Sequence, residues 1–274
     1  MPLATMEIDF LKQLIAQRSG NVISSNQDYL LESRLIPVAK SVGLENIHAL
    51  VAELRKQPGS ALPERVAEAM TINETSFFRD MAPFETLKDI VIPTMIQKRA
   101  STKSLSIWCG ASSSGQEPYT IAMIIREYFN ELSSWNVKIH ATDLSEEMVK
   151  RTQEGVYSQF EINRGLPASM LLRHFERSGA QWRARPELRK MIDARRMNLT
   201  SAWPIASQYD IVFLRNVMIY FDQPTKERIL TRIHKVLRPD GYLFLGGGET
   251  LITLNVPFLR EPTGKTVCFR PVAV

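Results

Sequence analysis

Between residues 7 and 70 the apolar positions recur at three- and four-residue spacing, and no stretch alternates. Leu11, Leu14 and Ile15 share one face of a first helix, and Leu31, Leu35, Val38 and Val42 share one face of a second. Pro37 lacks an amide hydrogen, so it is expected to bend that second helix or start it afresh. Gly43 ends it, and Ile47, Leu50, Val51 and Leu54 mark a third helix before Pro58-Gly59. The pattern predicts a small all-helical domain over residues 1–75.

From residue 104 the grammar becomes strand, helix, strand. Leu105 to Cys109 is a short apolar strand, followed by a Gly/Ser loop and a helix opened by Glu117-Pro118, with Ile121, Ile124, Ile125 and Tyr128 on one side. Pro118 fits a first helical turn, where a missing N–H costs nothing. Val137 to Thr142 is the next strand, ending at Asp143, with Ser145 placed to cap a helix. Tyr209 to Leu214 is another strand and Thr225 to Leu237 a helix. Pro239-Asp240-Gly241 then reads as a turn into a strand, Tyr242 to Leu245. Such alternation predicts an α/β fold with a doubly wound, Rossmann-like parallel sheet over residues 76–274. Around Ala180 to Met197 the rhythm breaks: Trp182, Leu188, Met191 and Ile192 are interleaved with basic residues, which predicts an inserted β-subdomain near 178–197.

With 274 residues and 44% hydrophobic content, the chain has ample material for a core and needs neither disulfides nor a structural metal. The two cysteines, Cys109 and Cys268, sit in apolar runs, as small buried hydrophobes do, and imply a reducing, cytoplasmic setting. Acids at Glu7 and Asp9 are unlike a signal peptide, and no apolar run is long enough to span a membrane. The net charge of +5 is unevenly spread: residues 151–200 carry ten Lys and Arg against five Asp and Glu. Arg173, Arg177, Arg183, Arg185, Arg189, Lys190, Arg195 and Arg196 make that block either a solvated face or a surface for an acidic partner.

Three places carry candidate chemistry. The loop Gly110-Ala111-Ser112-Ser113-Ser114-Gly115 lies where a doubly wound sheet binds its ligand, and the helix opened at Glu117 offers free amides to an anionic group. As a dinucleotide fingerprint it is poor, since G-x-G-x-x-G is absent. Asp143 closes the second strand 28 residues after Gly115, the position of an acidic residue that takes ribose hydroxyls, or else of a turn-capping Asp. Arg215-Asn216 leaves a buried strand toward the same crevice, which demands a carboxylate or a ligand nearby. His48, His140, His174 and His234 show no ligand spacing, and no G-x-S-x-G or Walker loop occurs, so metal, serine hydrolase and NTPase readings fall away.

In this order the motifs resemble the chemotaxis-receptor protein-glutamate O-methyltransferases of the CheR type. The resemblance is carried by Asn73-Glu74-Thr75-Ser76-Phe77-Phe78-Arg79-Asp80, Ser113 to Met123, Ala141-Thr142-Asp143-Leu144-Ser145, Arg215-Asn216-Val217-Met218-Ile219-Tyr220-Phe221 and Leu237-Arg238-Pro239-Asp240-Gly241. It implies a class I methyltransferase sheet behind a helical N-terminal domain. S-adenosyl-L-methionine is then the methyl donor, S-adenosyl-L-homocysteine the product, and no metal is needed. The implied acceptors are glutamate side-chain carboxylates on the helical bundle of methyl-accepting chemoreceptors, giving methyl esters for chemotactic adaptation. Carried over residue by residue, the donor site comprises Asn73, Thr75, Arg79, Glu117, Asp143, Asn198, Leu199, Arg215 and Asn216, beside the loop glycines Gly110 and Gly115. Arg79 and Tyr220 are the implied catalytic residues. The enzyme is expected in the cytoplasm, recruited peripherally to receptor arrays, with no nucleic acid partner.

Two departures change the expectation about partners. Family members carry an Arg-rich second helix, whereas Arg34 and Lys40 here flank Pro37-Val38-Ala39. Members that hold a receptor C-terminal peptide have a longer loop than Ser178-Gly179-Ala180-Gln181, so this chain is expected to work without such a tether. The rival readings are a methyltransferase of another acceptor such as RNA, fitted by a pI near 9.2, and a non-catalytic nucleoside-sensing module. A nicotinamide oxidoreductase is disfavoured by the missing glycine fingerprint.

Overall fold

A computed structural model of the chain describes residues 3–203 and 208–272. It divides into two units, Met1–Ile72 with Ile219–Lys226, and Asn73–Met218 with Glu227–Val274.

The first unit holds four helices: α1 (Thr5–Ser19), α2 (Tyr29–Ser41), α3 (Ile47–Lys56) and α4 (Leu62–Ala69). Leu11, Ile15, Leu31, Leu35, Leu50 and Val66 are fully buried in its core. The helix does not start afresh at Pro37: α2 runs through it. Both Pro37 and Ser33, whose carbonyl the missing amide would have served, face solvent, so water can satisfy it. The buried stripe of α2 is Leu31, Leu35 and Ala39, while Val42 is exposed. Arg34 is not a free surface cation: its Nη1 donates to the carbonyl of Thr71 at 2.6 Å. Ile219–Lys226 groups with these helices rather than with its neighbours in sequence, and the amide of Val22 donates to the carbonyl of Tyr220 at 2.9 Å.

In the second unit a helical run comes first, with α5 (Ala82–Thr86) and α6 (Ile92–Lys98) joined by a wider turn over Leu87–Val91. Among the described residues there follow β1 (Ser104–Gly110), α7 (Gln116–Tyr128), β2 (Asn136–Asp143), α8 (Glu146–Glu154), β3 (Val156–Tyr157), α9 (Gln159–Asn163), α10 (Ala168–His174), β4 (Phe175–Ser178), β5 (Gln181–Ala184), α11 (Pro186–Arg189), β6 (Ile192–Arg196), β7 (Tyr209–Leu214), α12 (Gln223–Val236, begun in the first unit), β8 (Leu237–Leu245), β9 (Phe258–Thr263) and β10 (Thr266–Pro271). Seven strands form one sheet in the order β6-β2-β1-β7-β8-β10-β9. The first five are parallel, and β10 and β9 add antiparallel at one edge.

The parallel strands are apolar because both faces are covered. Ile211, Val212, Phe213 and Leu214 are wholly buried, as are Ile107, Trp108 and both cysteines. Phe213 stacks between Phe84 and Phe244, with ring centroids 6.0 and 4.4 Å away. Trp108 is fixed by its Nε1–H, which donates to Thr142 Oγ1 at 2.9 Å.

Several local expectations shift. The small sheet, in the order β3-β5-β4, spans residues 156–184, whereas Ile192–Arg196 is an edge strand of the main sheet and no part of it. The turn expected at Pro239-Asp240-Gly241 is instead taken into the start of β8, whose register against β7 slips between Tyr209 and Ile211. A Cβ on Gly241 would stand 2.9 Å from the carbonyl of Asp210, so only glycine fits that slip. Arg99 clamps the site, reaching Asp210 at 2.6 Å and Asp240 at 2.6 and 3.0 Å.

Candidate active site

Chain order runs outward from β1 to β2 and β6 on one side and from β7 to β8 on the other. The crevice at the carboxyl ends of β1 and β7 is therefore the switch point where doubly wound sheets bind ligands. Gly110 ends β1, Asp143 ends β2 and Arg215 follows β7, so the fold gathers residues more than 100 positions apart at one edge.

The loop after β1 is wired into shape. Ala111, Ser113 and Gly115 have φ of 54°, 50° and 92°, so every second residue from Ala111 to Gly115 is left-handed. Two non-glycine residues in that region are strained, and the strain is held by bonds from all sides. Ser112 N donates to the carbonyl of Thr142 at 2.9 Å, and Ser113 N to Asp143 Oδ2 at 2.7 Å. Thr152 Oγ1 donates to the carbonyl of Ser113 at 3.1 Å, and the Tyr157 hydroxyl to that of Ser114 at 2.8 Å. Gly115 has no room for a side chain, since a Cβ would lie 2.8 Å from Thr152 Oγ1.

Asp143 is 6% exposed, and its Oδ1 also accepts the amide of Ser145 at 2.9 Å. The bond from Ser145 is that of a turn-capping Asp, one of the two roles expected of this residue. Asn198 and Leu199 arrive beside it because Arg196 pairs with Asp143 in the sheet and Met197 N donates to the carbonyl of Asp143 at 2.8 Å. Asn198 Oδ1 accepts from the amide and hydroxyl of Thr200, at 2.9 and 2.8 Å, which sets the turn.

Across the switch point stands a buried charge cluster. Arg215 Nη1 donates to Glu117 Oε2 at 2.8 Å, and Nη2 to Asp80 Oδ2 at 3.0 Å and to the carbonyl of Arg79 at 2.9 Å. The guanidinium is 2% exposed and Glu117 13%, and the Arg215 Nε is buried with no hydrogen-bond partner. Burial pushes the Glu117 carboxyl above the ordinary carboxylate range, while Arg215 pulls it back.

The Asn73–Asp80 segment is pinned to this unit at three points. Ser113 Oγ donates to the carbonyl of Asn73 at 2.7 Å, Phe78 N donates to Thr120 Oγ1 at 3.1 Å, and Gly165 packs so closely on Phe77 that a Cβ would lie 2.2 Å from its carbonyl oxygen. Phe77 is anchored edge-on to Tyr157 and Phe175. Arg79 itself is half-buried and donates to the carbonyl of Glu74 at 3.0 Å. Thr75 lies half-buried in the same segment. Gly110 has a packing reason of its own, because a Cβ there would stand 2.9 Å from Leu214 Cδ1. Tyr220 belongs to the first unit, in the segment held through its carbonyl.

The donor set fits a nucleoside carrying a charged amino-acid end. Asp143 brings a buried carboxylate, the loop after β1 runs into a helix start, and Glu117 and Arg215 offer both signs of charge, with one N–H of Arg215 buried and without a hydrogen-bond partner. Among the described residues, no group of three or more His, Cys, Asp or Glu is placed to hold a metal ion. The basic block is largely tied up internally. Arg173 pairs with Glu127, Arg195 with Asp193 at 2.7 Å, Arg189 and Arg196 donate to backbone carbonyls, and Arg177 stacks 4.2 Å over Trp182. Such surfaces offer fewer free cations than the residue count implies. No helix of the described residues is long and apolar enough to cross a membrane.

Reading the residues one by one names Ser113 only as part of its loop and gives Asp80 no role of its own, though it was visible as the neighbour of Arg79.

Comparison with known proteins agrees with this architecture. Residues 6–71 match the family described as CheR methyltransferase, all-alpha domain, and residues 73–266 match CheR methyltransferase, SAM binding domain. The chain is 39% identical over 256 residues to the chemotaxis protein methyltransferase Cher2 of Pseudomonas putida, covering 91% of this chain and 92% of that one. It is 39% identical over 259 residues to chemotaxis protein methyltransferase 1 of Pseudomonas aeruginosa, covering 93% of each. A Vibrio cholerae chemotaxis protein methyltransferase is 34% identical over 253 residues, covering 91% of this chain and 90% of that one. The chain therefore belongs to the CheR methyltransferase family and is an S-adenosylmethionine-dependent methyltransferase of chemotaxis.

Proposed function

We propose that the enzyme methylates glutamate side chains on the cytoplasmic helical bundle of chemoreceptors, forming methyl esters. The observation that supports this most is the cluster of buried Arg215 with Glu117, the exposed Asp80 and the Arg79 carbonyl beside the loop that Asp143 shapes. When bound, S-adenosylmethionine supplies an electrophilic methyl group. Asp143 accepts the hydroxyls of its ribose, and the Ser-rich loop, Gly110 and Gly115 let it approach the backbone. Glu117, Arg215 and Asn216 take the charged amino-acid end, while Asn73, Thr75, Asn198 and Leu199 complete the surround.

The acceptor needs no general base, since a glutamate with a pKa of about 4.3 is ionised at neutral pH. What the protein contributes is alignment of the carboxylate oxygen with the methyl carbon and exclusion of water. Arg79 and Tyr220 are assigned to orient the incoming carboxylate. Only contact that improves toward the transition state speeds the step, so Arg79 must not grip the ground state tightly. No tether peptide is required in this reading; β4 and β5 are joined through only Gly179 and Ala180.

The test is methyl transfer from labelled S-adenosylmethionine to a chemoreceptor cytoplasmic fragment, with structured RNA as competing acceptor. Label on the receptor that leaves as methanol in mild base supports a carboxyl ester. Label on RNA, or donor binding without turnover, refutes the acceptor assignment. Tight binding of an isolated receptor C-terminal peptide refutes the tether-independent part.

A further inference from the structure

Glu249 is half-buried after β8 and accepts hydrogen bonds from four backbone amides. Its Oε1 takes Val217 N at 3.0 Å and Met218 N at 2.7 Å, and its Oε2 takes Asn216 N at 2.9 Å and Gly246 N at 2.6 Å. Three of these amides belong to the loop that follows β7 and begins with Arg215. That loop contains a residue in the left-handed region, Asn216 at φ 59°, which needs compensation from outside to persist. The approach leaves no slack: a Cβ on Gly246 would lie 2.8 Å from both Asn216 Nδ2 and Glu249 Oε2. Because β7 and β8 are paired at Leu214 and Leu245, the two loops start side by side, and one charged acceptor fastens them together.

We propose that Glu249 is a positioning residue for donor binding, acting through the backbone of Asn216–Met218 to fix where Arg215 and Asn216 present their side chains. This rests on the reading that Arg215 and Asn216 hold the donor. A carboxylate is the group suited to the task, since a neutral amide has one acceptor oxygen and would turn its own N–H groups toward two of the four amides. Displacing the loop by a fraction of an ångström misaligns both donor-site residues together, which weakens donor binding.

The experiment measures S-adenosyl-L-homocysteine affinity by calorimetry, and the KM of donor and acceptor separately, for the full chain and for Glu249→Gln, Glu249→Asp and Gly246→Ala. Glu249→Gln and Gly246→Ala are expected to weaken affinity by about tenfold to a hundredfold with donor KM rising well beyond acceptor KM, and Glu249→Asp, which keeps the charge, to recover part of the loss. Affinity of Glu249→Gln within about twofold of the parent overturns the proposal, as does an equal rise in both KM values. Asp143→Ala is run alongside. Unaltered affinity there refutes the donor-site reading itself, whereas loss there with unaltered Glu249→Gln refutes only the role of Glu249. Amide exchange on the unmodified protein decides independently of any variant's folding: the amides of Asn216, Val217 and Met218 should slow further when S-adenosyl-L-homocysteine binds, and no change overturns the proposal.

Discussion

Arg215 Nη1 stands 2.8 Å from Glu117 Oε2, joining the end of one central strand to the first turn of the helix that follows the other. Such a pair is weak evidence for stability in itself, because desolvating two charges offsets most of their attraction. Breaking it is another matter. Arg215→Met should destabilise the fold by about 3 to 5 kcal/mol, as Glu117 is left buried and unpaired. Arg215→Met combined with Glu117→Leu should recover most of that stability in urea denaturation and still fail to bind the donor. Recovery of binding in the double variant would show the pair to be merely structural.

The side chain of Arg79 donates to the carbonyl of Glu74, while its own carbonyl holds Arg215. Arg79→Ala leaves that carbonyl in place, so donor affinity should fall less than in Arg215→Met, while kcat with a receptor fragment falls by about tenfold or more. A raised acceptor KM with unchanged kcat would restrict Arg79 to binding.

The close approach of Gly165 to Phe77 predicts a remote effect on the same segment. Gly165 has φ 95°, and a Cβ would lie 2.2 Å from the Phe77 carbonyl oxygen. Gly165→Ala should cost more than about 1 kcal/mol of stability and lower donor affinity, because the Asn73–Asp80 segment must shift. Thermal melting with and without S-adenosyl-L-homocysteine separates the two effects.

His140 gives the fold a pH dependence of known sign. Burial holds its pKa below the ordinary value of 6.5, aided by Arg195 and Lys138 and opposed by Asp193. A depressed folded-state pKa means the unfolded chain takes the proton first. The stability this group contributes is therefore present above pH 6.5 and is lost as the pH falls through the lower folded value. Melting temperatures measured from pH 7.5 down to 5.5 should fall less steeply for His140→Gln than for the parent.

Much of the site could be read without coordinates. The Ser-rich loop, Asp143 and Arg215-Asn216 each sit directly after an apolar strand, and in a parallel sheet all such positions face one edge. Their motifs also match a family along nearly the whole chain. The pairing of Ser113 with Asp143, and the parts of Asp80 and Glu249, escaped because they depend on partners 30, 135 and 31 to 33 residues away. Neither local propensity nor periodicity reports such pairings. The grouping of Ile219–Lys226 with the N-terminal helices, and the assignment of Ile192–Arg196 to the main sheet, were hidden for the same reason.

The sequence by itself determined the alternation of elements, the parallel sheet and the residue types at the strand ends, since hydrophobic period, capping residues and proline positions act within a few residues of chain. Only the tertiary structure decided how those ends are held. The left-handed backbone at Ala111, Ser113 and Asn216 costs free energy that local interactions do not return. It persists because Asp143, Thr152, Tyr157 and Glu249 offer hydrogen-bond partners from distant elements, and a partner's position becomes defined only when the sheet has brought it there.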